Sequence, residues 1–236
     1  MDFQAGEFIY VNKPYGMTSF GALAYVRTRL SRALHVKRLK TGHAGTLDPL
    51  ATGVLILCTG RATKRIESLQ LASKEYTATL QLGATTASYD REHTVNMTYP
   101  TRHITRELIE SVLTGFIGEI QQVPPIYSAV MVDGHRAYKL ARQGSEAELK
   151  AKTIRIDEIE LLDFNPATMQ MSIRVSCGKG TYIRSLARDI GEALGSGAFL
   201  TALCRTRLGD VRIEDCLTLD EFSQWMEYQL VPVSPK

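Results

Sequence analysis

Asp48 sits in the run Gly42 to Leu57, GHAGTLDPLATGVLIL, with His43, Thr46 and Pro49 beside it and the apolar residues Val54 to Leu57 directly after. A single carboxylate in a Gly/Pro turn against a buried strand is placed to act as nucleophile or base, because loops held on a packed scaffold are where reacting groups sit. Taken alone, Asp48 reads first as a turn aspartate, since Asp-Pro pairs mark turns and the side chain satisfies nearby backbone N–H groups. His43 divides in the same way, between a structural loop histidine and a ring that stacks on, or hydrogen-bonds to, a base or ribose. The five histidines (His35, His43, His93, His103, His135) show no ligand spacing, so no metal site is expected.

Two further places carry chemistry. Tyr76 lies on the apolar face of an alternating segment and reads either as a core tyrosine or as a ring that stacks on an extruded base, which is worth about 1–3 kcal/mol. Gly178 to Arg184, GKGTYIR, falls at a strand-to-helix junction. It contains neither GxxxxGK[ST] nor GxGxxG, so nucleotide binding is weakly supported. The junction does put Tyr182 and Arg184 on a first helical turn. Arg184 is a surface helix arginine or the partner of a carboxylate such as Asp48, which an adjacent cation would keep ionised. Cys58 and Cys177 occupy apolar strand positions, and no GxSxG elbow is present.

The elements that must position these groups follow from periodicity. Phe8 to Asn12 reads as a strand, and Thr18 or Ser19 caps a helix to about Leu34 with Phe20, Leu23, Ala24 and Leu30 inward. Val36 to Gly53 reads as loop, Val54 to Thr59 as a buried strand, and Ala62 to Leu71 as a short helix. Lys74 to Gly83 alternates, with Tyr76, Ala78, Leu80 and Leu82 on one face. Ala84 to Arg102 reads as a long polar loop, Ile104 to Leu113 as a helix ended by Gly115, and Phe116 to Val123 as a strand. Asp133-Gly134 signals a turn within Met131 to Arg136. Lys152 to Phe164 and Thr168 to Cys177 form an antiparallel pair. A helix to about Leu194 presents Ile183, Leu186, Ala187, Ile190 and Leu194 inward; Phe199 to Leu208 is a strand and Leu217 to Tyr228 a terminal helix. Irregular interleaving favours an α+β fold, with a central mixed, mostly antiparallel sheet flanked by helices and loops, over repeated βαβ units.

At 236 residues, 44% hydrophobic and 22% charged, the chain suits one globular domain over residues 1–236. Four separated cysteines with no CxxC pair exclude a zinc knuckle and point to a reducing compartment. The N-terminus does not read as a signal peptide, and no apolar run approaches the roughly 20 residues that span a bilayer. A cytoplasmic location without membrane attachment is expected. The net charge is only +3, yet Phe8 to Leu47 holds no acidic residue while carrying Lys13, Arg27, Arg29, Arg32, Lys37, Arg38 and Lys40. Between Asp210 and Glu227 the balance reverses, with Arg212 as the sole cation. A basic block that long, leading into the Asp48 loop, points to a polyanionic substrate.

Four segments in order, Lys13-Pro14-Tyr15-Gly16-Met17-Thr18-Ser19, GHAGTLDPLATGVL, QVPPIYSAVMVDGHRAY (Gln122 to Tyr138) and CGKGTYIRSLARDIG (Cys177 to Gly191), resemble the TruB family of tRNA pseudouridine synthases from about Phe8 to Arg207. The resemblance implies the pseudouridine synthase fold and conversion of a uridine in the tRNA T-loop, position 55, to pseudouridine without a cofactor. It implies Asp48 as the catalytic aspartate and His43 as a residue that displaces and holds the T-loop. Tyr76 is implied to stack on the flipped uracil, Tyr182 and Arg184 to border the base and pair with Asp48, and Leu203 to pack against the base. The implied partner is the T-arm of tRNA, and a monomer is expected. Many family members carry a C-terminal RNA-binding domain of the PUA type, for which this sequence leaves no room. ATTASYDRE (Ala84 to Glu92) departs from the family's Thr-x-Thr-x-Asp pattern, so no role is carried onto it. Two rival readings are an RNA-folding module in which Asp48 is dispensable, and a nucleotide enzyme built on Gly178 to Thr181.

Overall fold

The computed structural model describes residues 1–128, 131–132, 135–136 and 149–230. The chain separates into two compact units, one made of Met1–Glu75 with the residues from Cys204 on, the other of Tyr76–Leu203. The strands β4 (Lys74–Leu82) and β12 (Ala198–Leu208) carry the chain from one unit to the other and back.

The first unit is built on β3 (Ala51–Thr59). Its edges are taken by β1 (Phe8–Lys13), antiparallel from Phe8↔Cys58 to Lys13↔Gly53, and by β2 (Thr41–Ala44), antiparallel with His43 opposite Leu57. The last residues of β12 follow β3 in the strand order, and β13 (Val211–Arg212) pairs with that end. Leu55 and Leu57 of β3 join a core formed by Ala22, Leu23, Val26 and Leu30 of α1 (Ser19–Ala33) and Leu219, Phe222 and Met226 of the terminal helix Leu219–Leu230. Val54, Ile56 and Cys58 point the other way, against Ala44, Ala62 and Leu208. A strand buried on both faces reads as a continuous apolar run, which is why it is conspicuous in the sequence. Thr18 caps α1 by accepting from the Gly21 N–H at 2.9 Å. A 3₁₀ turn (Gly60–Arg65) and α2 (Ile66–Leu71) lead into β4.

The second unit is built around two antiparallel strand pairings that share one long strand. β10 (Lys152–Asn165) pairs with β11 (Gln170–Cys177) and β7 (Gly118–Gln122), with β4 on the far side of β11 and the first residues of β12 beyond β4. A separate hairpin joins β5 (Ala84–Thr86) to β6 (Val95–Thr98), and β8 (Met131–Val132) pairs with β9 (His135–Arg136). Met171, Ile173, Val175 and Cys177 are buried from β11, and Tyr76, Ala78, Leu80 and Leu82 from β4. Helix α3 (Arg106–Thr114) buries Ile109 and Leu113. Helix α4 (Ile183–Ala193) buries Ile183, Leu186, Ala187 and Ile190, the stripe expected from its spacing; the terminal helix Leu219–Leu230 is α5.

Three expectations need correction. Phe20 is 61% exposed, because the inward stripe of α1 starts at Ser19 and continues through Ala22, Leu23 and Val26, one position away from the phase assumed. Val36 to Gly53 is not all loop, since β2 forms there on the free edge of β3. Ala84 to Arg102 contains the β5–β6 hairpin, whose alternation is masked by polar residues on an exposed ribbon. The Asp133-Gly134 turn lies outside the described residues.

Candidate active site

Asp48 is half-buried in the link between β2 and β3. Ala51 donates its N–H to the Asp48 carbonyl at 3.1 Å, which makes the residues from Asp48 to Ala51 a closed turn, with Pro49 fixing its backbone angle. Ser19, the first residue of α1, brackets the neighbouring Leu47: its hydroxyl donates to the Leu47 carbonyl at 3.0 Å and accepts from the Leu47 N–H at 2.8 Å. Gly16 donates to the Pro49 carbonyl at 2.9 Å. Lys13 is fully buried, and its ammonium donates to the carbonyls of Pro14 (2.9 Å), Met17 (2.6 Å) and Pro49 (3.4 Å). An ammonium has three donors, and all three are used. Lys13 through Ser19 is thus a frame whose side chains and amides grip the main chain on both sides of Asp48.

A second buried cation completes this frame. Arg205, 1% exposed on β12, donates from Nε to the Val54 carbonyl at 2.8 Å and from Nη2 to the Gly45 carbonyl at 2.9 Å. Two glycines admit it. A Cβ on Gly53, where φ is +103°, would lie 2.2 Å from the Arg205 carbonyl oxygen, and one on Gly45 (φ +78°) would meet its guanidinium at 3.3 Å. Burial pushes the Lys13 ammonium down to about 8; the Asp48 carboxylate opposes that shift and Arg205 adds to it. Burial, reinforced by Arg205, also lowers the His43 imidazole below its ordinary value, so the ring is neutral at pH 7. Its Nδ1 is buried without a hydrogen-bond partner among the described residues. A neutral ring is suited to packing against a nucleotide rather than to binding phosphate by charge.

In the second unit, Tyr76 is buried on the apolar face of β4 and Leu203 is half-buried on β12. Tyr182 sits at the N-cap of α4 and is held by Gln122, which accepts from the Tyr182 N–H at 2.9 Å and donates to the Tyr182 carbonyl at 3.2 Å. Arg184 is only 5% exposed, which rules out a surface arginine. Its Nη1 and Nη2 donate to the carbonyls of Ser88 (3.3 Å) and Tyr127 (3.0 Å), and its Nε lies 3.9 Å from Oδ2 of Asp90. Asp90 is 6% exposed and accepts from the Ser88 hydroxyl and, at 2.9 Å, from the Glu92 N–H. One turn on, Arg188 pairs with Asp189 at 2.6 Å and lies over the Tyr89 ring.

Asp48 and His43 therefore belong to the first unit, and Tyr76, Tyr182, Arg184 and Leu203 to the second. Three contributors were missed from the sequence. Lys13 had a faint signal, since it falls in phase with the inward residues Ile9 and Val11. Arg205 and Asp90 had none: one lies within a strand with no clean alternation, and the other lies in a stretch without apolar pattern. Among the described residues no cluster of His, Cys, Asp and Glu could hold a metal ion, and no helix is long and apolar enough to cross a membrane.

With this geometry in hand, comparison with known proteins is decisive. Residues 31–183 match the N-terminal domain model of the TruB family pseudouridylate synthases, and residues 184–230 match the C-terminal domain model of tRNA pseudouridylate synthase B. The chain belongs to the TruB family. Family members named tRNA pseudouridine synthase B are 62% identical over 231 residues in Bacteroides thetaiotaomicron (97% of this chain, 96% of that one) and 61% identical over 234 residues in Bacteroides fragilis (99% and 100%). Among solved structures, a chain of the archaeal box H/ACA sRNP Nop10-Cbf5 complex is 30% identical with a TM-score of 0.67, covering 96% of this chain and 55% of that one. A Cbf5-Nop10-Gar1 complex gives a TM-score of 0.68 at 30% identity, covering 96% and 57%. This TruB-family chain spans little more than half of the length of those two chains. The expected α+β pseudouridine synthase fold is borne out, as is the family read from the four motifs.

Proposed function

We propose that residues 1–236 act as one catalytic domain that isomerises uridine 55 in the T-loop of tRNA to pseudouridine, with Asp48 as the nucleophile. The observation that carries the reading is the grip on the Asp48 loop: a half-buried carboxylate whose flanking main chain is held by two buried cations, Lys13 and Arg205, and by the Ser19 hydroxyl. Such a frame fixes a reacting group before substrate arrives and costs no reorganisation during reaction.

The isomerisation breaks the N1–C1′ bond, turns the uracil and joins C5 to C1′. The C5 proton leaves and N1 gains one, so no electrons are exchanged and no cofactor is called for. Asp48 adds to C6 of uracil or to C1′ of ribose and is released when the C5–C1′ bond is complete. Extruding the uridine costs a few kcal/mol. Tyr76 stacks on the flipped uracil and offsets part of that cost. Leu203 supplies an apolar wall, Tyr182 borders the base, and His43, as a neutral ring, packs against the displaced T-loop. Arg184, held by Asp90 and two carbonyls, borders the base and pairs with Asp48. The partner is the tRNA T-arm and the working form is a cytoplasmic monomer.

The test is tritium release from tRNA carrying C5-tritiated uridine. Asp48→Asn is expected to lower the single-turnover rate by roughly 10⁴-fold or more while binding tRNA within about threefold of wild type. Wild-type release by Asp48→Asn would refute the assignment and leave RNA binding as the activity.

A further inference from the structure

The first unit contains a second feature that the chemistry at Asp48 does not use. At the far end of α1 a cleft of about 260 Å³ is lined by Arg27, Thr28, Ser31, Arg32, Lys37 and Arg38, together with Val36. Four cations and two hydroxyl-bearing residues around one small cavity is the donor chemistry of an oxyanion site.

The backbone builds this cleft on purpose. The helix closes with the Val36 N–H donating to the Ser31 carbonyl at 3.0 Å and the His35 N–H to the Arg32 carbonyl at 3.1 Å, while His35 takes the left-handed conformation at φ +53°. This is the paired closure that normally recruits glycine at the residue after the cap. A non-glycine residue pays about 1 kcal/mol there, and histidine tolerates it better than most. The turn folds Lys37 and Arg38 back alongside Arg27 and Arg32. The Leu39 N–H then bonds the Ser31 Oγ at 3.2 Å and Leu39 is buried, which locks the return.

The charge at the cleft is uncompensated. No acidic residue occurs from Phe8 to Leu47, and among the described residues no carboxylate pairs with the side chains of Arg27, Arg32, Lys37 or Arg38. Elsewhere the same protein pairs its arginines: Arg174 with Glu158 and Glu160, Arg155 with Asp157, Arg106 with Glu110. Arg27 instead lies over the exposed ring of Phe20, 5.7 Å from its centroid. Clustered, exposed cations left unpaired repel one another in the free protein and are relieved by a polyanion.

Distance separates this cleft from the chemistry. Ser19 holds Leu47 beside Asp48 at the start of α1, and Arg32 lies 13 residues further along, so at 1.5 Å per residue the cleft sits roughly 20 Å down the helix from the Asp48 end. We infer that the Arg27–Arg38 cleft is a phosphate grip for the RNA backbone, engaging the substrate at phosphates remote from the reacting uridine. The inference rests on the reading that the substrate is RNA, and it supplies a contact that is independent of base identity.

The experiment measures tRNA binding by the full chain across salt concentrations, in three proteins. The first is wild type. The second carries Arg32→Gln, Lys37→Gln and Arg38→Gln, all at exposed positions. The third carries the same change of charge elsewhere on the surface, Arg102→Gln, Lys150→Gln and Lys152→Gln, also exposed. Neutralising the cleft is expected to raise the Kd at least tenfold near physiological salt and to make the log–log salt slope shallower by roughly 2, since each phosphate contact contributes about 0.7–0.9. The loss falls on affinity, with the rate at saturating tRNA changing far less than the Kd. The control variant stays within about threefold of wild type. Equal losses in both variants, or a cleft variant with the wild-type Kd and slope, would overturn the inference. A wild type that binds with the full salt slope but releases no tritium would instead overturn the function proposed above and leave the grip intact.

Discussion

The two units each bury cations and satisfy them in different ways. In the first unit Lys13 and Arg205 are satisfied by main-chain carbonyls: Pro14, Met17 and Pro49 for one, Val54 and Gly45 for the other. In the second, Arg184 has carbonyls from Ser88 and Tyr127 but also the Asp90 carboxylate. Carbonyl dipoles solvate a cation without cancelling its charge, whereas a carboxylate cancels it. The first arrangement leaves the charges of Lys13 and Arg205 in place in the unit that holds Asp48, and the second sets a carboxylate against Arg184 at the head of α4.

The largest effect that would break this comparison is at Asp90. Asp90→Ala removes a buried carboxylate from beside the Arg184 guanidinium and is expected to cost about 3–5 kcal/mol, read from urea denaturation. A loss under about 1 kcal/mol would mean that carbonyls suffice in the second unit as well, and the contrast would vanish. Next in size is the pH dependence carried by Lys13. Its folded value of about 8 lies below the ordinary 10.5. Between those values the unfolded chain holds a proton that the folded one has released, so stability rises with pH across that window by an amount on the order of 3 kcal/mol. Comparing denaturation at pH 7.5 and 10 in wild type and Lys13→Met isolates the effect; an equal pH response in both would show that Lys13 is not held by burial. The smallest is Ser19→Ala, which removes both bonds to Leu47 and is expected to cost about 1–2 kcal/mol. Its tritium-release rate should fall more than its stability explains, because the loop beside Asp48 loosens; an unchanged rate would show that Lys13 and Arg205 alone fix the loop.

How much of this was legible follows from the same contrast. The Asp48 turn, the doubly buried strand Val54 to Thr59, the alternation from Tyr76 to Leu82 and the stripe of α4 were all readable, because each is a short-range pattern whose period reports its surroundings. The family was readable because four motifs kept their order. What escaped are groups whose role depends on partners far away in sequence. Arg205 meets Val54 and Gly45, 151 and 160 residues off, and Arg184, itself named from its motif, has partners in Ser88 and Tyr127, 96 and 57 residues off, that were not. No window along the chain contains both ends of such a contact. Phe20 failed for a different reason: on a helix this basic, one apolar residue out of phase looks like part of the stripe until Ala22 and Val26 are seen to be buried instead.

The discontinuity of the first unit also sets an order of events on the ribosome. Tyr76–Leu203 is a continuous stretch and can fold as soon as it has emerged, because domains generally fold as units during synthesis. The unit that holds Asp48 is begun first and finished last, since Arg205, Leu208 and the core residues of α5 are translated only after the whole of the other unit. The nascent chain therefore carries the Asp48 loop with only the Lys13, Gly16 and Ser19 side of its frame through most of translation. It acquires the clamp on Gly45 and Val54 only with its final residues.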